Sequence, residues 1–293
     1  MRDDLAFEVW SRERQQRIED VLDAELACEA GTPLVEAMRY ATLGGGKRMR
    51  PLLAYAAGEF AGADPGDVDA VAAAVEMIHA YSLVHDDLPC MDDDALRRGK
   101  PACHVAHGEA MALLAGDALQ ATAFGVLGRA RLRDAGRACA LLADASGVRG
   151  MAGGQAVDLG AVGRTLALAE LESMHRRKTG ALIAASVELG ALCGAPLDDA
   201  ARTALRAYAA AAGLAFQVVD DVLDAEGSAA TLGKTAGKDA ATNKPTYVTL
   251  LGLDEARRRA QVLRAEAREA LAPFGARGRR LVELADWIVL RQH

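Results

Sequence analysis

The sequence predicts an all-α fold, a single-domain bundle of about ten helices. Aromatic residues make up only 4% of the chain, and long stretches rich in Ala, Leu, Glu and Arg favour helix over strand. Apolar residues recur three or four positions apart in Val68–Ile78 and again in Leu205–Leu223, which is the spacing of one helical face. We find no convincing segment in which apolar and polar residues alternate as they would in a half-buried strand.

Breaks between the predicted helices fall at glycines and prolines. In chain order, the main breaks are Gly44–Gly46, Ala63–Gly66, Gly194–Pro196 and Ala272–Pro273. The length of 293 residues would allow two domains of about 150 residues each. None of the breaks is long enough to be an interdomain linker, so we expect one domain over residues 1–293.

The composition argues against several classes of protein. Lys and Arg number 34 against 41 Asp and Glu, and the resulting net charge of −7 argues against a nucleic-acid-binding surface and against an anionic membrane. No apolar run approaches the ~18 residues of a membrane-spanning helix, and the N-terminus lacks the pattern of a signal peptide. The five cysteines are scattered and are never spaced as a metal knuckle. We therefore expect a reduced, cytoplasmic protein without nucleic-acid partners or stable membrane insertion.

Carboxylates are concentrated in a first cluster, Asp86–Asp94, which holds five of them within nine residues. They would repel one another and raise each other's pKa values unless a cation were present. Asp86 and Asp92 would not share a face of a regular helix, but Pro89 disrupts the helical ladder and lets Asp92 turn back toward Asp86. Such oxygen ligands suit Mg²⁺ or Mn²⁺. Taken alone, the cluster is equally well interpreted as a solvated acidic helix end.

A second cluster of polar residues lies in Gln217–Asp224. Gln217, Asp220, Asp221 and Asp224 fall on one helical face, since they are three, four and seven positions apart. Their neighbours are strongly apolar, which makes a solvated run of charge a poor explanation. The two clusters together predict facing walls that share metal ions.

Basic residues lie near breaks between helices, as expected for a site that binds a small polyanion. The turn Gly44–Gly46 precedes Lys47, Arg48 and Arg50, but it is not a Walker loop because the glycine spacing is wrong and no Ser or Thr follows the lysine. Arginine forks suit phosphate oxygens. His79 lies two turns before the first cluster on the same face, which favours a contact to the anion over a core position. Other basic residues in this set are Arg97, Arg98, Arg176, Arg177, Lys178, Lys234 and Lys244.

Together these segments resemble the trans-prenyltransferases, the isoprenyl diphosphate synthases. The resemblance rests on the two aspartate clusters and on three further motifs in the family's order, namely Gly45–Pro51, Met151–Asp158 and Lys178–Gly180. Each motif alone is moderately specific, whereas all of them in order are highly specific. The first cluster carries two extra residues, Pro89 and Cys90, which makes it most similar to the bacterial short-chain farnesyl diphosphate synthases.

The resemblance implies the isoprenoid synthase fold with a deep central cavity, and a homodimer. It implies a Mg²⁺-dependent condensation of isopentenyl diphosphate with dimethylallyl or geranyl diphosphate, giving farnesyl diphosphate and diphosphate. About three Mg²⁺ ions would bridge the allylic diphosphate, with Mn²⁺ as a possible substitute. The principal metal ligands would be Asp86, Asp92 and Asp220, with Asp87, Asp221 and Asp224 either as supporting ligands or as groups that hold the ligands in place.

The resemblance also implies two anion sites. The allylic diphosphate would be held by Arg97, Lys178, Lys234 and Lys244. Isopentenyl diphosphate would be held by Lys47, Arg50, His79 and Arg98. Thr179 and Gln217 would place oxygens near the developing allylic cation. The residues implied to act in catalysis are Asp86, Asp92, Lys178, Thr179, Gln217 and Asp220.

Product length would depend on the residues just before the first cluster. In the family, an aromatic residue at the fifth position before the motif acts as a floor under the growing chain. Tyr81 occupies that position, with Ser82 beside it, which predicts a fifteen-carbon product. The alternative interpretation is that Tyr81 is only a packed core residue.

Several other functions remain to be weighed against this one. A geranylgeranyl or geranyl diphosphate synthase would share every motif. A terpene cyclase usually carries a second metal motif built on Asn, Ser and Glu, whereas the single asparagine here, Asn243, lies outside such a motif. A non-catalytic prenyltransferase subunit would be expected to have lost aspartates, and an acidic Ca²⁺-binding protein would not explain the basic residues. The sequence assigns no role to Arg291.

Overall fold

The computed structural model describes residues 2–27, 31–43, 45–164, 166–227 and 245–291. Within these residues, eleven helices have at least ten residues, which confirms the all-α bundle of about ten helices. The first half of the chain contains α1 (Arg2–Glu25), α2 (Pro33–Thr42), α3 (Met49–Ala61), α4 (Pro65–Asp86), α5 (Cys103–His107), α6 (Glu109–Arg129) and α7 (Ala135–Ser146). The second half contains α8 (Met151–Ala161), α9 (Leu168–His175), a π-helical turn (Arg176–Gly180), α10 (Ala181–Leu192), α11 (Asp199–Glu226), α12 (Tyr247–Leu251), α13 (Leu253–Leu271), a 3₁₀ segment (Ala272–Gly278) and α14 (Arg279–Leu290).

Helix α4 lies in the middle of the bundle and packs against α3, α6 and α10. Pro65 occupies its first turn, where a missing N–H costs nothing. The predicted face, Val68–Ile78, is confirmed: Val68, Val71, Val75 and Ile78 are at most 1% exposed. Because α4 is apolar on several sides, its carboxylate-rich C-terminal end is carried into the interior of the molecule.

One short β-hairpin, β1 (Leu96–Arg97) and β2 (Lys100–Pro101), follows the first carboxylate cluster. The sequence analysis expected no strand, because two-residue strands are too short to show an alternating pattern. The two residues of the turn, Arg98 and Gly99, both have positive φ angles of 54° and 74°, as a tight hairpin turn of this kind requires. The hairpin holds Arg97 and Arg98 beside α4.

A π-helical turn joins α9 to α10 and carries Lys178 and Thr179. Such turns widen a helix locally and are frequent at functional sites. Gly154 of α8 packs directly on this turn, since a Cβ atom there would lie 2.2 Å from the backbone nitrogen of Lys178. A glycine is therefore needed for α8 to approach the turn so closely.

Helix α6 is long and apolar enough, by length and composition alone, to span a membrane. No such segment was expected from the sequence, since Asp117 and Gln120 interrupt the continuous apolar run within this helix. Only 39% of its most apolar window is buried in the described part of the chain. Leu113 and Leu114 are 48% and 50% exposed, so the helix presents an apolar surface outward.

Candidate active site

A cavity of about 830 Å³ lies among α4, α8, α11 and the π-helical turn. It brings together both carboxylate clusters and the described members of both anion-binding sets. The predicted residues that line it are Lys47, Arg50, His79, Tyr81, Ser82, Asp86, Asp92, Arg97, Arg98, Lys178, Thr179, Gln217, Asp220, Asp221 and Asp224. Asp87 is not among the lining residues, and Lys234 and Lys244 lie outside the described part of the chain.

The first wall of the cavity is the turn that follows α4. The helix ends at Asp86, and the backbone N–H of Asp92 donates a hydrogen bond of 2.8 Å to the Asp86 carbonyl. Asp92 is thus turned back toward Asp86, as the position of Pro89 predicted. Burial raises the pKa of Asp86 to about 6, an effect that Lys178 opposes and Asp92 reinforces. Two such neighbouring carboxylates form a site whose charge a divalent cation would neutralise.

Asp87 faces away from the cavity. Its carboxylate is 2% exposed, and both oxygens accept hydrogen bonds of 3.1 Å from Nε of Arg97. Burial raises the pKa of Asp87, and the Arg97 guanidinium opposes that rise. Arg97 itself lines the cavity. Of the two roles predicted for Asp87, these contacts favour that of a supporting group, which positions Arg97, over that of a metal ligand.

The second wall is the face of α11 predicted from the spacing of its polar residues. Asp221 is buried and accepts hydrogen bonds from Nε2 of Gln217 at 2.9 Å and from the backbone N–H of Tyr247 at 2.8 Å. The Thr179 hydroxyl donates to Oε1 of Gln217 at 3.1 Å. Asp221 therefore fixes the orientation of the Gln217 amide, while Asp220 is left to face the cavity.

Arg291, for which the sequence suggested no role, contacts this second wall. One of its terminal nitrogens lies 2.5 Å from Oδ1 of Asp220 and 3.1 Å from the Phe216 carbonyl, and its guanidinium stacks on the Phe216 ring at 4.2 Å. The side chain of Arg291 is only 3% exposed. A lone basic residue 71 positions beyond its partner carries no sequence pattern that could have revealed the contact.

Lys178 enters the cavity beside a buried carboxylate that the sequence analysis quoted but gave no role. Its Nζ lies 2.5 Å from Oδ2 of Asp158, which is 7% exposed. The only signal for Asp158 was its place at the end of the motif Met151–Asp158. The pair holds the ammonium in one position while its other donors remain available to an anion.

The predicted isopentenyl diphosphate set contains a buried cation. Arg50 is 8% exposed, and its Nε has no hydrogen-bond partner among the described residues. Burial, together with the positive charges of Arg50 and Arg98, holds the pKa of His79 well below its usual range, so the imidazole is neutral at pH 7. A buried guanidinium beside a neutral N–H donor favours a bound anion.

Two unpaired polar side chains on α8 and α9 were missed by the sequence analysis. Both amide atoms of Gln155 and both ring nitrogens of His175 are buried without hydrogen-bond partners in the described structure, and both residues line the cavity. Burial lowers the pKa of His175 to about 4, and its ring stacks on Tyr247 with centroids 5.6 Å apart. Both side chains add polar character to one wall of the cavity.

The number of carboxylates on each wall of the cavity suits Mg²⁺. Among the described residues, no three side chains of His, Cys, Asp or Glu already converge as a metal site. Mg²⁺ commonly takes only one or two protein carboxylates and completes its shell with phosphate oxygens and water. The pairs Asp86–Asp92 and Asp220–Asp224, one on each wall, fit that requirement.

A protein-family model described as polyprenyl synthetase matches residues 32–272. The chain belongs to the polyprenyl synthetase family. The match covers both carboxylate walls and the turn that carries Lys178. It confirms the predicted resemblance to isoprenyl diphosphate synthases, and this member of the family is a prenyltransferase enzyme.

Relatives of this polyprenyl synthetase agree with the family in sequence and in fold. The farnesyl diphosphate synthase of Escherichia coli is 52% identical over 268 residues, covering 89% of this chain and 90% of the relative. The apo structure of an FPP/GFPP synthase from Zymomonas mobilis is 39% identical, with a TM-score of 0.87 over 97% of this chain and 99% of that one. A geranyltransferase from Helicobacter pylori, solved with magnesium and isoprenyl diphosphate, is 33% identical, with a TM-score of 0.84 over 96% and 95% of the two chains.

Proposed function

We propose that this prenyltransferase condenses isopentenyl diphosphate with dimethylallyl and then geranyl diphosphate, giving (2E,6E)-farnesyl diphosphate and diphosphate. The observation that carries the proposal is the cavity of about 830 Å³, which is lined by two carboxylate walls, a set of cations and Tyr81. The 52% identity to the farnesyl diphosphate synthase of E. coli supports the same product.

The allylic diphosphate binds between the two walls. Arg97, positioned by Asp87, and Lys178, positioned by Asp158, supply fixed cations for its oxygens. Asp86, Asp92, Asp220 and Asp224 would hold about three Mg²⁺ ions, replaceable by Mn²⁺, whose positive charge would stabilise the leaving diphosphate. The presence of magnesium with isoprenyl diphosphate in the related H. pylori structure supports this arrangement. Lys234 and Lys244 complete the predicted set.

Isopentenyl diphosphate binds in the neighbouring set, Lys47, Arg50, His79 and Arg98. The unpaired Nε of Arg50 and the neutral imidazole of His79 donate to its oxygens. Arg98 is held in place by a hydrogen bond to the Gly45 carbonyl. Two separate anion sites bring the reacting carbons of the two substrates together.

The reaction breaks the allylic C–O bond, joins C1 of the allyl group to the isopentenyl double bond and releases one proton. The Thr179 and Gln217 oxygens, fixed through Asp221, face the positive charge that develops on the allyl group. The apolar part of the cavity excludes water from the cation. The released diphosphate accepts the proton, so that no pair of His and carboxylate is required.

Tyr81 forms the floor of the cavity in this proposal, and its ring is 8% exposed. We expect Tyr81→Ala to make products of twenty carbons or more, because a core does not fully collapse around a lost aromatic ring. Tyr81→Phe, which keeps the ring, should still stop at fifteen carbons. Chromatography of products formed from dimethylallyl and isopentenyl diphosphates with Mg²⁺ measures both. An active Tyr81→Ala enzyme that still stops at fifteen carbons would show that Tyr81 is not the floor, and a wild-type enzyme that makes mainly twenty carbons would refute the farnesyl product.

The active form is a homodimer in which α6 packs against a second copy. The exposed Leu113 and Leu114 form an apolar face of the kind that marks protein interfaces. Leu114→Arg should convert the dimer to a monomer, because a buried guanidinium without a partner is costly. Val262→Arg, at a residue of similar exposure on α13, should leave the mass unchanged. Light scattering coupled to size-exclusion chromatography measures the mass, and a dimer that persists in Leu114→Arg would place the interface elsewhere.

We further propose that residues 1–293 form one domain that works in the cytoplasm. The family match over residues 32–272 contains every described residue of the cavity wall. The described cysteines Cys90, Cys103, Cys139 and Cys193 are all free, which suits a reducing compartment.

A further inference from the structure

His85 packs against Tyr81, one turn further along α4. The two rings meet edge to face, with centroids 5.7 Å apart and an interplanar angle of 76°. This is a favourable geometry for a pair of rings. Both residues line the cavity, so the imidazole of His85 is one of the groups that support the Tyr81 ring at the cavity wall.

His85 is in turn held by α6. Its Nε2–H donates a hydrogen bond of 3.0 Å to the Leu113 carbonyl. The imidazole enters a notch at Gly116, where a Cβ atom would lie only 2.0 Å from Nε2 and 2.4 Å from Cδ2. Any side chain at position 116 would therefore expel the imidazole from the notch.

We propose that His85, seated in the Gly116 notch of α6, is a positioning residue that keeps Tyr81 in place and thereby sets the length of the product. The inference rests on the proposed function, in which Tyr81 is the floor. Without the imidazole, the Tyr81 ring is free to tilt away from the cavity, and a longer chain fits. A side chain at position 116 has the opposite effect, because it expels the imidazole from the notch toward Tyr81. The imidazole already lines the cavity, and in its new position it shortens the space for the product.

The two substitutions thus shift the product in opposite directions. We expect His85→Ala to raise the ratio of twenty- to fifteen-carbon product about tenfold, the scale on which an apolar pocket discriminates small changes in size. Gly116→Ala should raise the ratio of ten- to fifteen-carbon product by about the same factor. His85→Phe, which retains a ring in contact with Tyr81, should keep the fifteen-carbon product. Gly128→Ala is the matched control on α6, since a Cβ atom there meets nothing within 4 Å.

The double variant Tyr81→Ala/His85→Ala tests whether His85 acts through Tyr81. If it does, the double variant makes the same products as Tyr81→Ala alone. Products are compared after single turnovers as well as at steady state, so that a loss of rate in any variant does not mask a change in length. A loss of stability alone would change the rate of every variant without shifting the ratios in opposite directions.

The outcomes distinguish the role of Tyr81 as the floor from the role of His85 in positioning it. Longer products from Tyr81→Ala, with fifteen-carbon products from both His85→Ala and Gly116→Ala, would overturn the role of His85 and leave the proposed floor intact. Unchanged products from Tyr81→Ala would overturn the floor and the role of His85 with it. If His85→Ala does not fold, Gly116→Ala against Gly128→Ala decides: a shift to ten carbons supports the inference and an unchanged product overturns it.

Discussion

Replacing Asp86 or Asp220 by Asn should lower the rate of the chemical step by about a thousandfold or more, because each substitution removes a carboxylate from one wall of the cavity. Asn keeps the size of the side chain but lacks the charge that a divalent cation requires. Single-turnover rates at saturating diphosphates and Mg²⁺ measure the loss. Chelation of Mg²⁺ by EDTA should abolish turnover of the unmodified enzyme, and added Mg²⁺ should restore it.

Asp93→Asn is the matched control for these variants. Asp93 belongs to the same acidic cluster but is exposed and does not line the cavity. Its φ angle of 51° is one that Asn adopts readily, so the substitution should leave the backbone undisturbed. A full rate in either Asp86→Asn or Asp220→Asn would contradict the model of two metal-binding walls.

Replacing Arg48 by Ala should lower the free energy of unfolding by about 3–5 kcal/mol, because the charge of Glu76 would be buried without its partner. The two side chains are 1% and 2% exposed, and their atoms lie 2.6 Å apart. Arg48 also donates to Glu19 at 2.8 Å and to the Thr42 carbonyl at 2.7 Å. Arg48→Ala is therefore expected to unfold at a much lower urea concentration. Glu76→Ala, which leaves the contacts of Arg48 to Glu19 and Thr42 in place, should have a smaller effect in the same direction.

The exposed pair of Arg12 and Glu8 provides the comparison. These side chains are 71% and 60% exposed, so Arg12→Ala should cost less than about 1 kcal/mol. The double variant Arg48→Met/Glu76→Met should regain part of the stability lost by Arg48→Ala, since the buried charge of Glu76 is removed and Glu19, which also loses its partner, is 27% exposed. If Arg48→Ala unfolds at the same urea concentration as Arg12→Ala, the pair does not stabilise the fold as proposed.

The sequence was sufficient to predict the features that depend on residues close together in the chain. Helical spacing of apolar residues predicted the central position of α4, and Pro89 predicted the return of Asp92 toward Asp86. Both depend on contacts within a few residues of the chain, which periodicity and proline chemistry describe well. The same reasoning placed the polar face of Gln217–Asp224 on one side of α11.

Only the tertiary structure decided which of two adjacent charged residues faces the cavity. Asp86 and Asp87 are chemically identical, but only Asp86 lines the cavity, whereas Asp87 pairs with Arg97. Arg48 and Arg50 both line the cavity, but Arg48 is held there by its pair with Glu76. The partners of Asp87 and Arg48 lie on other elements of the fold. The same is true of two residues that pair with active-site groups, Asp158 with Lys178 and Arg291 with Asp220. Sequence spacing cannot predict such pairs, because a buried charge is stabilised by whichever opposite charge the packing of distant elements brings within hydrogen-bonding distance.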